Sequence, residues 1–166
     1  MTELAAPPLS DVVVRMSELA VSASPGDELV SVGLGSCIGL ALVCRRNRAC
    51  GLAHVMLPES GGQASDHPAK YGDHAVPALV ARLGRLGVWP AALEAILVGG
   101  AQMFADASGM DIGARNDAAV RAALVRARIP VVAAATGGRA GRTIRVQVAT
   151  GTVTVREAGA QEVILR

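Results

Sequence analysis

Three apolar runs follow one another early in the chain: Leu29–Leu34, Ile38–Val43 and Gly51–Leu57. A glycine-serine break, Gly33-Leu34-Gly35-Ser36, interrupts the pattern just before Cys37, and the polar turn Arg45-Arg46-Asn47-Arg48 separates the second run from the third. Runs of this length bounded by turn residues are strands, and two of them joined by a short polar turn form a β-hairpin. The most apolar stretch, Val30–Cys44, contains Ser31, Gly33, Gly35, Ser36 and Gly39 and falls short of the ~18 residues a membrane span needs, so no membrane insertion is expected.

On either side of this unit the pattern changes. Val12–Val14 and Leu19–Val21 suggest one or two early strands before the turn Pro25-Gly26-Asp27. Tyr71, Ala75, Leu79, Leu83 and Leu86 recur at three- and four-residue spacing, which predicts an amphipathic helix from about Pro68 to Gly87 that either begins or kinks at Pro77. Leu93–Val98 reads as a buried strand ending in Gly99-Gly100. Asn116 is the expected N-cap of a second helix running to about Ala127 and closed by Pro130. Val131–Ala135 and a final hairpin, Arg142–Val148 with Thr152–Arg156 turning at Thr150-Gly151, complete the chain. The expectation is a flexible tail over residues 1–10 and a single α/β (α+β) domain over 11–166, with a mixed or mostly antiparallel sheet system and at least two helices.

A core for 166 residues has to be built here from aliphatic side chains, since apolar residues make up 51% and there is one Trp, one Tyr and one Phe. That scarcity of aromatic rings excludes base stacking. Sixteen Lys+Arg against fourteen Asp+Glu, with the arginines scattered, exclude a nucleic-acid stripe. The N-terminus lacks a basic-then-apolar leader, and three cysteines, an odd number, fit reduced thiols in the cytoplasm.

The residues that carry chemistry lie between Ser31 and Pro58. A thiol attacks an acyl carbon as thiolate, and a neighbouring imidazole takes its proton and later returns it to the leaving amine. Cys37 and His54 supply such a pair, at similar offsets from a hairpin turn about Asn47. Gly33, Gly35 and Gly39 clear space around the thiol, and the backbone N–H groups of Ser36 and Cys37 are candidate oxyanion donors. The competing reading makes Cys37 a small buried hydrophobe and His54 a hydrogen-bonded core residue. A zinc site of Cys44, Cys50 and His54 has the right ligand types, but its spacing matches no compact knuckle and it needs all three on one face. His67 and His74 read as surface residues near a helix start, and Gly99-Gly100 and Gly137-Gly138 as turn and packing glycines without a phosphate-loop pattern.

Taken in order, GLGSC, AHVMLP, the PxKY segment Pro68–Tyr71, the GGAxMF segment Gly99–Phe104, IGARN at Ile112–Asn116 and GGxxGRT at Gly137–Thr143 resemble the CheD family. The resemblance covers most of the chain from Leu29 onward. It implies a fold similar to the catalytic domain of cytotoxic necrotizing factor toxins. It also implies a protein-glutamine deamidase that converts glutamines of methyl-accepting chemotaxis receptors to glutamate. The catalytic set it implies is Cys37, His54 and the residue six before the cysteine, which is a threonine in the family and Ser31 here. Serine keeps the hydroxyl but lacks the methyl group that restricts threonine's rotamer.

No metal or organic cofactor is expected. Besides the receptors, the resemblance implies a CheC-type phosphatase as a partner, and hence a rival reading in which the chain is a chemotaxis adaptor with little catalysis. A thiol redox sensor pairing Cys37 with Cys44 or Cys50 is a third reading. Met103 and Phe104 are candidate docking residues, with a core role for Phe104 as the alternative.

Overall fold

Strands β4 (Ile38–Cys44) and β5 (Ala49–Val55) contain no Lys, Arg, Asp or Glu, and every one of their residues is buried. A strand without polar alternation has no face to offer solvent, so it must be covered on both sides. The computed structural model, which describes residues 8–103 and 111–166, shows how that cover is assembled.

The hairpin is the centre of a mixed five-stranded sheet that also contains β2 (Leu19–Ser22), β6 (Glu94–Gly99) and β7 (Val131–Thr136), in the order β2-β5-β4-β6-β7. Its pairs are antiparallel except β6 with β7. On one face Ile38, Leu40, Leu42, Ala53, Val55 and Leu97 meet two helices, α1 (Gly72–Arg85) and α2 (Ile112–Ala127), through Leu79, Leu83, Val120 and Leu124. On the other face Ala41, Val43, Leu52, Ile96 and Val98 meet a second sheet through Leu29, Leu34, Ile144 and Val146. That sheet comprises β1 (Ser10–Val13), β3 (Asp27–Leu34), β8 (Arg142–Gln147), β9 (Val153–Glu157) and β10 (Val163–Ile164), ordered β1-β3-β8-β9-β10. The layers are therefore sheet, sheet, helices, in one α+β domain. Each fully buried leucine contributes ~1.5–3 kcal/mol to holding them together. Among the described residues no helix is long and apolar enough to cross a membrane.

The predicted elements are present, with corrections. The two early strands belong to different sheets, so residues Val14–Glu18 cross from one sheet to the other. α1 starts at Gly72, and Pro77 neither begins nor ends it. Asn116 is not the N-cap of α2. Asp111 is, with its carboxylate accepting the Ala114 N–H at 2.9 Å, and Asn116 lies a full turn inside, wholly buried. Gly113 lets the first turn of α2 sit against Gly100 and Ala101, since a Cβ there would stand 2.5 Å from both carbonyl oxygens. Phe104 lies outside the described residues; Met103 is exposed, with its side chain over Gly35.

Candidate active site

The hairpin register sets the site. Gly39 faces His54 and Ile38 faces Val55, so Cys37, just before β4, falls opposite Met56 rather than His54. The equal-offset expectation is thus off by two residues. Directly paired residues share a face, as do alternate residues of a strand. Cys37, Gly39 and His54 therefore all point into the space between the two sheets, and Cys37 is the diagonal neighbour of His54, where Cα separations run ~7–8 Å. Between them stands Gly39, without a side chain. Any Cβ there would meet Leu34 Cδ1 at 2.8 Å and Ile144 Cγ2 at 3.1 Å, so the packing of the sheets requires the gap.

Ser31 comes from the opposite sheet. Its Oγ lies 2.8 Å from His54 Nδ1 and donates to the Val14 carbonyl at 2.7 Å, all in a fully buried setting. A hydroxyl has one proton, and Val14 takes it. Ser31 must then accept from Nδ1–H, so the neutral imidazole carries its proton on Nδ1 and presents Nε2 as a bare lone pair. Nε2 is buried and has no hydrogen-bond partner among the described residues. The segment between the sheets holds the backbone of the same residue: the His54 main-chain N–H donates to Glu18 O and its carbonyl accepts from Ser17 N–H, both at 3.0 Å. Two simultaneous hydrogen bonds hold the Ser31 hydroxyl in place without the methyl that serine lacks.

Cys37 is buried and makes no hydrogen bond to the imidazole in this structure. Burial raises its thiol above the usual value, and burial lowers His54 below its usual 6.5, opposed by the Val14 backbone and the Glu18 charge. Each direction favours the uncharged form, so the resting pair is thiol and neutral imidazole.

The loop holding Cys37 is fixed from two sides. Its Ser36 carbonyl accepts from Asn116 Nδ2 at 2.8 Å, and its Cys37 carbonyl accepts from Gly100 N–H at 2.8 Å. Ala101 N–H binds the Gly35 carbonyl, also at 2.8 Å. The half-buried glycine turn joins in: Gly137 N–H donates to Gly99 O, and buried Arg142 donates to the carbonyls of Gly99 and Gly137 at 3.2 and 2.8 Å. The N–H groups of Ser36 and Cys37 donate no backbone or side-chain hydrogen bond among the described residues. Asn116 and Arg142 were not singled out for the site from sequence, because an asparagine four residues before an apolar run signals a cap and a lone arginine signals a surface.

The metal reading fails on register. Cys50 pairs with Val43 and Cys44 with Ala49, which sends Cys44 to the helix face and Cys50 to the inter-sheet face. Among the described residues there is no group of three or more potential ligands. A disulfide from Cys37 fails on distance. Cys44 is seven residues along the same strand, and Cys50 faces Val43, six residues along, which is ~20 Å or more at about 3.3 Å per residue, against a required ~6 Å.

Comparison with known proteins bears on what this arrangement serves. The profile of the family described as CheD chemotactic sensory transduction matches residues 56–157. The chain is 42% identical over 153 residues to the chemoreceptor glutamine deamidase CheD of Thermotoga maritima, covering 90% of this chain and 94% of that one. The chain belongs to the CheD family. Relatives named probable chemoreceptor glutamine deamidase CheD are 43% identical in Moorella thermoacetica and 39% in Clostridium kluyveri, over 90% and 91% of this chain and 92% and 95% of theirs. For this CheD chain the profile match begins at Met56, so Ser31, Cys37 and His54 lie before it.

Proposed function

We propose that this chain, acting in the cytoplasm, deamidates glutamine side chains of methyl-accepting chemotaxis receptors, with Cys37 as nucleophile, His54 as acid and base, and Ser31 orienting the imidazole. The observation that carries the reading is the Val14–Ser31–His54 chain of hydrogen bonds, which leaves Nε2 unprotonated, buried and unpartnered on the face where Cys37 stands. A buried acceptor without a donor is costly, and a catalytic hydrogen bond that is open in the free enzyme commonly closes on the substrate complex.

The Cys37 Sγ–H proton passes to His54 Nε2 as sulfur forms a bond to the carboxamide carbon. The carbonyl oxygen takes the negative charge, against the N–H groups near Ser36 and Cys37. His54 gives its proton to the amide nitrogen, the C–N bond breaks and ammonia leaves. Water then attacks the thioester carbon, losing a proton to His54. The C–S bond breaks, sulfur recovers the proton, and glutamate remains. A CheC-type phosphatase is a further partner on this reading, acting as a regulator of the same site.

Incubated with a receptor cytoplasmic domain, the purified chain should release ammonia and convert specific glutamines to glutamates, read by peptide mass spectrometry. The rate should fall on the acid side as His54 becomes protonated, at a pH below 6.5 because its folded value is lowered. An acid limb centred above 6.5, or no conversion of any receptor domain, would sink the reading. Ser31→Ala should retain the fold and lose about 10- to 100-fold in kcat. The lost bond is one to an imidazolium in the transition state, of ~1.5–3 kcal/mol. A wild-type rate in that variant removes Ser31 from the site.

A further inference from the structure

Asn116 is wholly buried in α2, and its side-chain nitrogen spends both of its protons on backbone carbonyls of the site: Ser36 O at 2.8 Å and Met56 O at 3.1 Å. The amide orientation is dictated by those partners, because the reverse would set Oδ1 against two carbonyls. One carbonyl belongs to the residue before Cys37 and the other lies two residues beyond His54. A single side chain therefore ties the loop of one to the strand end of the other.

The bond to Ser36 has a consequence for the next atom along. The peptide between Ser36 and Cys37 is planar and trans, since the chain has no cis bonds, so its C=O and N–H point in opposite directions. With the carbonyl held toward Asn116, the Cys37 N–H is held away from α2. It has no acceptor among the described residues, although Cys37 is 8% exposed and a buried N–H ordinarily has one. The nucleophile's own N–H is an established type of oxyanion donor in acyl transfer. Rotating this one peptide would turn the donor inward and replace it with a carbonyl, which repels an oxyanion.

We infer that Asn116 is a positioning residue that locks the Ser36–Cys37 peptide with the Cys37 N–H facing the developing oxyanion. This rests on Cys37 being the nucleophile of the deamidation. Asn116 itself does not touch substrate. Its effect is on transition-state charge, not on the thiol's ability to react.

Two reactions of the same thiol separate these. Deamidation passes through an oxyanion, whereas alkylation of Cys37 by iodoacetamide displaces iodide at carbon and creates none. Asn116→Leu, which keeps about the same volume and has no donor, and Asn116→Ala should lower kcat for receptor-domain deamidation by about 10²–10³-fold, as loss of an oxyanion donor does. KM and the iodoacetamide rate should stay close to wild type. A fall in alkylation in step with kcat, or an undiminished kcat, overturns the inference. If neither variant folds, the wild-type chain decides: a peptide aldehyde in place of the glutamine carboxamide should move the Cys37 amide proton resonance downfield as the hemithioacetal forms, and an unmoved resonance overturns it. Persistence of deamidation in wild-type chain alkylated at Cys37 overturns the nucleophile assignment beneath it, an outcome distinct from the others.

Discussion

Cys37→Ala should reduce ammonia release from receptor domains by ~10⁴-fold or more, the scale seen when a nucleophile is removed from a concerted acyl-transfer site. The other two thiols cannot take its place, since Cys44 and Cys50 lie far along the hairpin, and the Ser31 hydroxyl is committed to Val14 and His54. The fold should hardly notice. Cys37 stands at the edge of the inter-sheet core, and shortening it by one sulfur should cost ~1 kcal/mol, or about 2–4 °C in melting temperature. Near-wild-type turnover in a folded Cys37→Ala protein would end the deamidase mechanism. A collapse of the melting temperature would instead mark Cys37 as a structural thiol.

Gly99→Ala should damage activity and stability together. Gly99 has φ +111°, and a Cβ on it would stand 2.2 Å from the Cys37 carbonyl oxygen, well inside contact. That oxygen cannot retreat cheaply because it accepts the Gly100 N–H at 2.8 Å. Either the end of β6 or the loop holding Cys37 must shift. A displacement of ~1 Å at a reacting group costs about 10²-fold in rate, and the strain with the clash should remove ~2–3 kcal/mol of stability. Gly61→Ala is the control: φ there is also positive, at +59°, but nothing lies within 4 Å of the added Cβ. It should cost ~1 kcal/mol from backbone strain alone and leave deamidation intact. Equal losses of activity in the two variants would show that Gly99 is not what seats the Cys37 loop.

The glycine pairs illustrate how far local pattern carries. Gly99-Gly100 and Gly137-Gly138 read from sequence as turn and packing residues, and they are that. Both members of each pair have positive φ, and Gly99 and Gly100 press against residues 37 and 38. What local pattern does not contain is the identity of the thing packed against. The site sits where two sheets and the start of α2 converge, and those contacts join residues 36, 56 and 116 or 31 and 54.

The hairpin shows the same boundary. Its existence, its polar turn and its length follow from apolar runs on either side of residues 45–48. The register does not, because a four-residue turn and its flanks admit neighbouring pairings that differ by a residue or two. Sheet-to-sheet packing chooses among them, by requiring Gly39 under Leu34 and Ile144. That choice moved Cys37 from directly opposite His54 to the diagonal position and sent Cys44 and Cys50 to opposite faces.

Asn116 was misread for a related reason. Capping preference is local, and Asn116 satisfies it, but Asp111 caps the helix one turn earlier because Gly113 allows α2 to approach Gly100 and Ala101 closely. An asparagine then faces inward, where its two donors find two carbonyls of the site. By itself the sequence determined the strands and helices and the aliphatic core, and it offered Cys37 and His54 beside glycines as a candidate pair, since propensity and spacing act within a few residues. The tertiary structure alone decided the imidazole's tautomer, through Ser31 and Val14 from the other sheet, and the direction of the Cys37 N–H, through Asn116 eighty residues away. Hydrogen bonds across layers are set by how the layers dock, and docking is a property of the whole core.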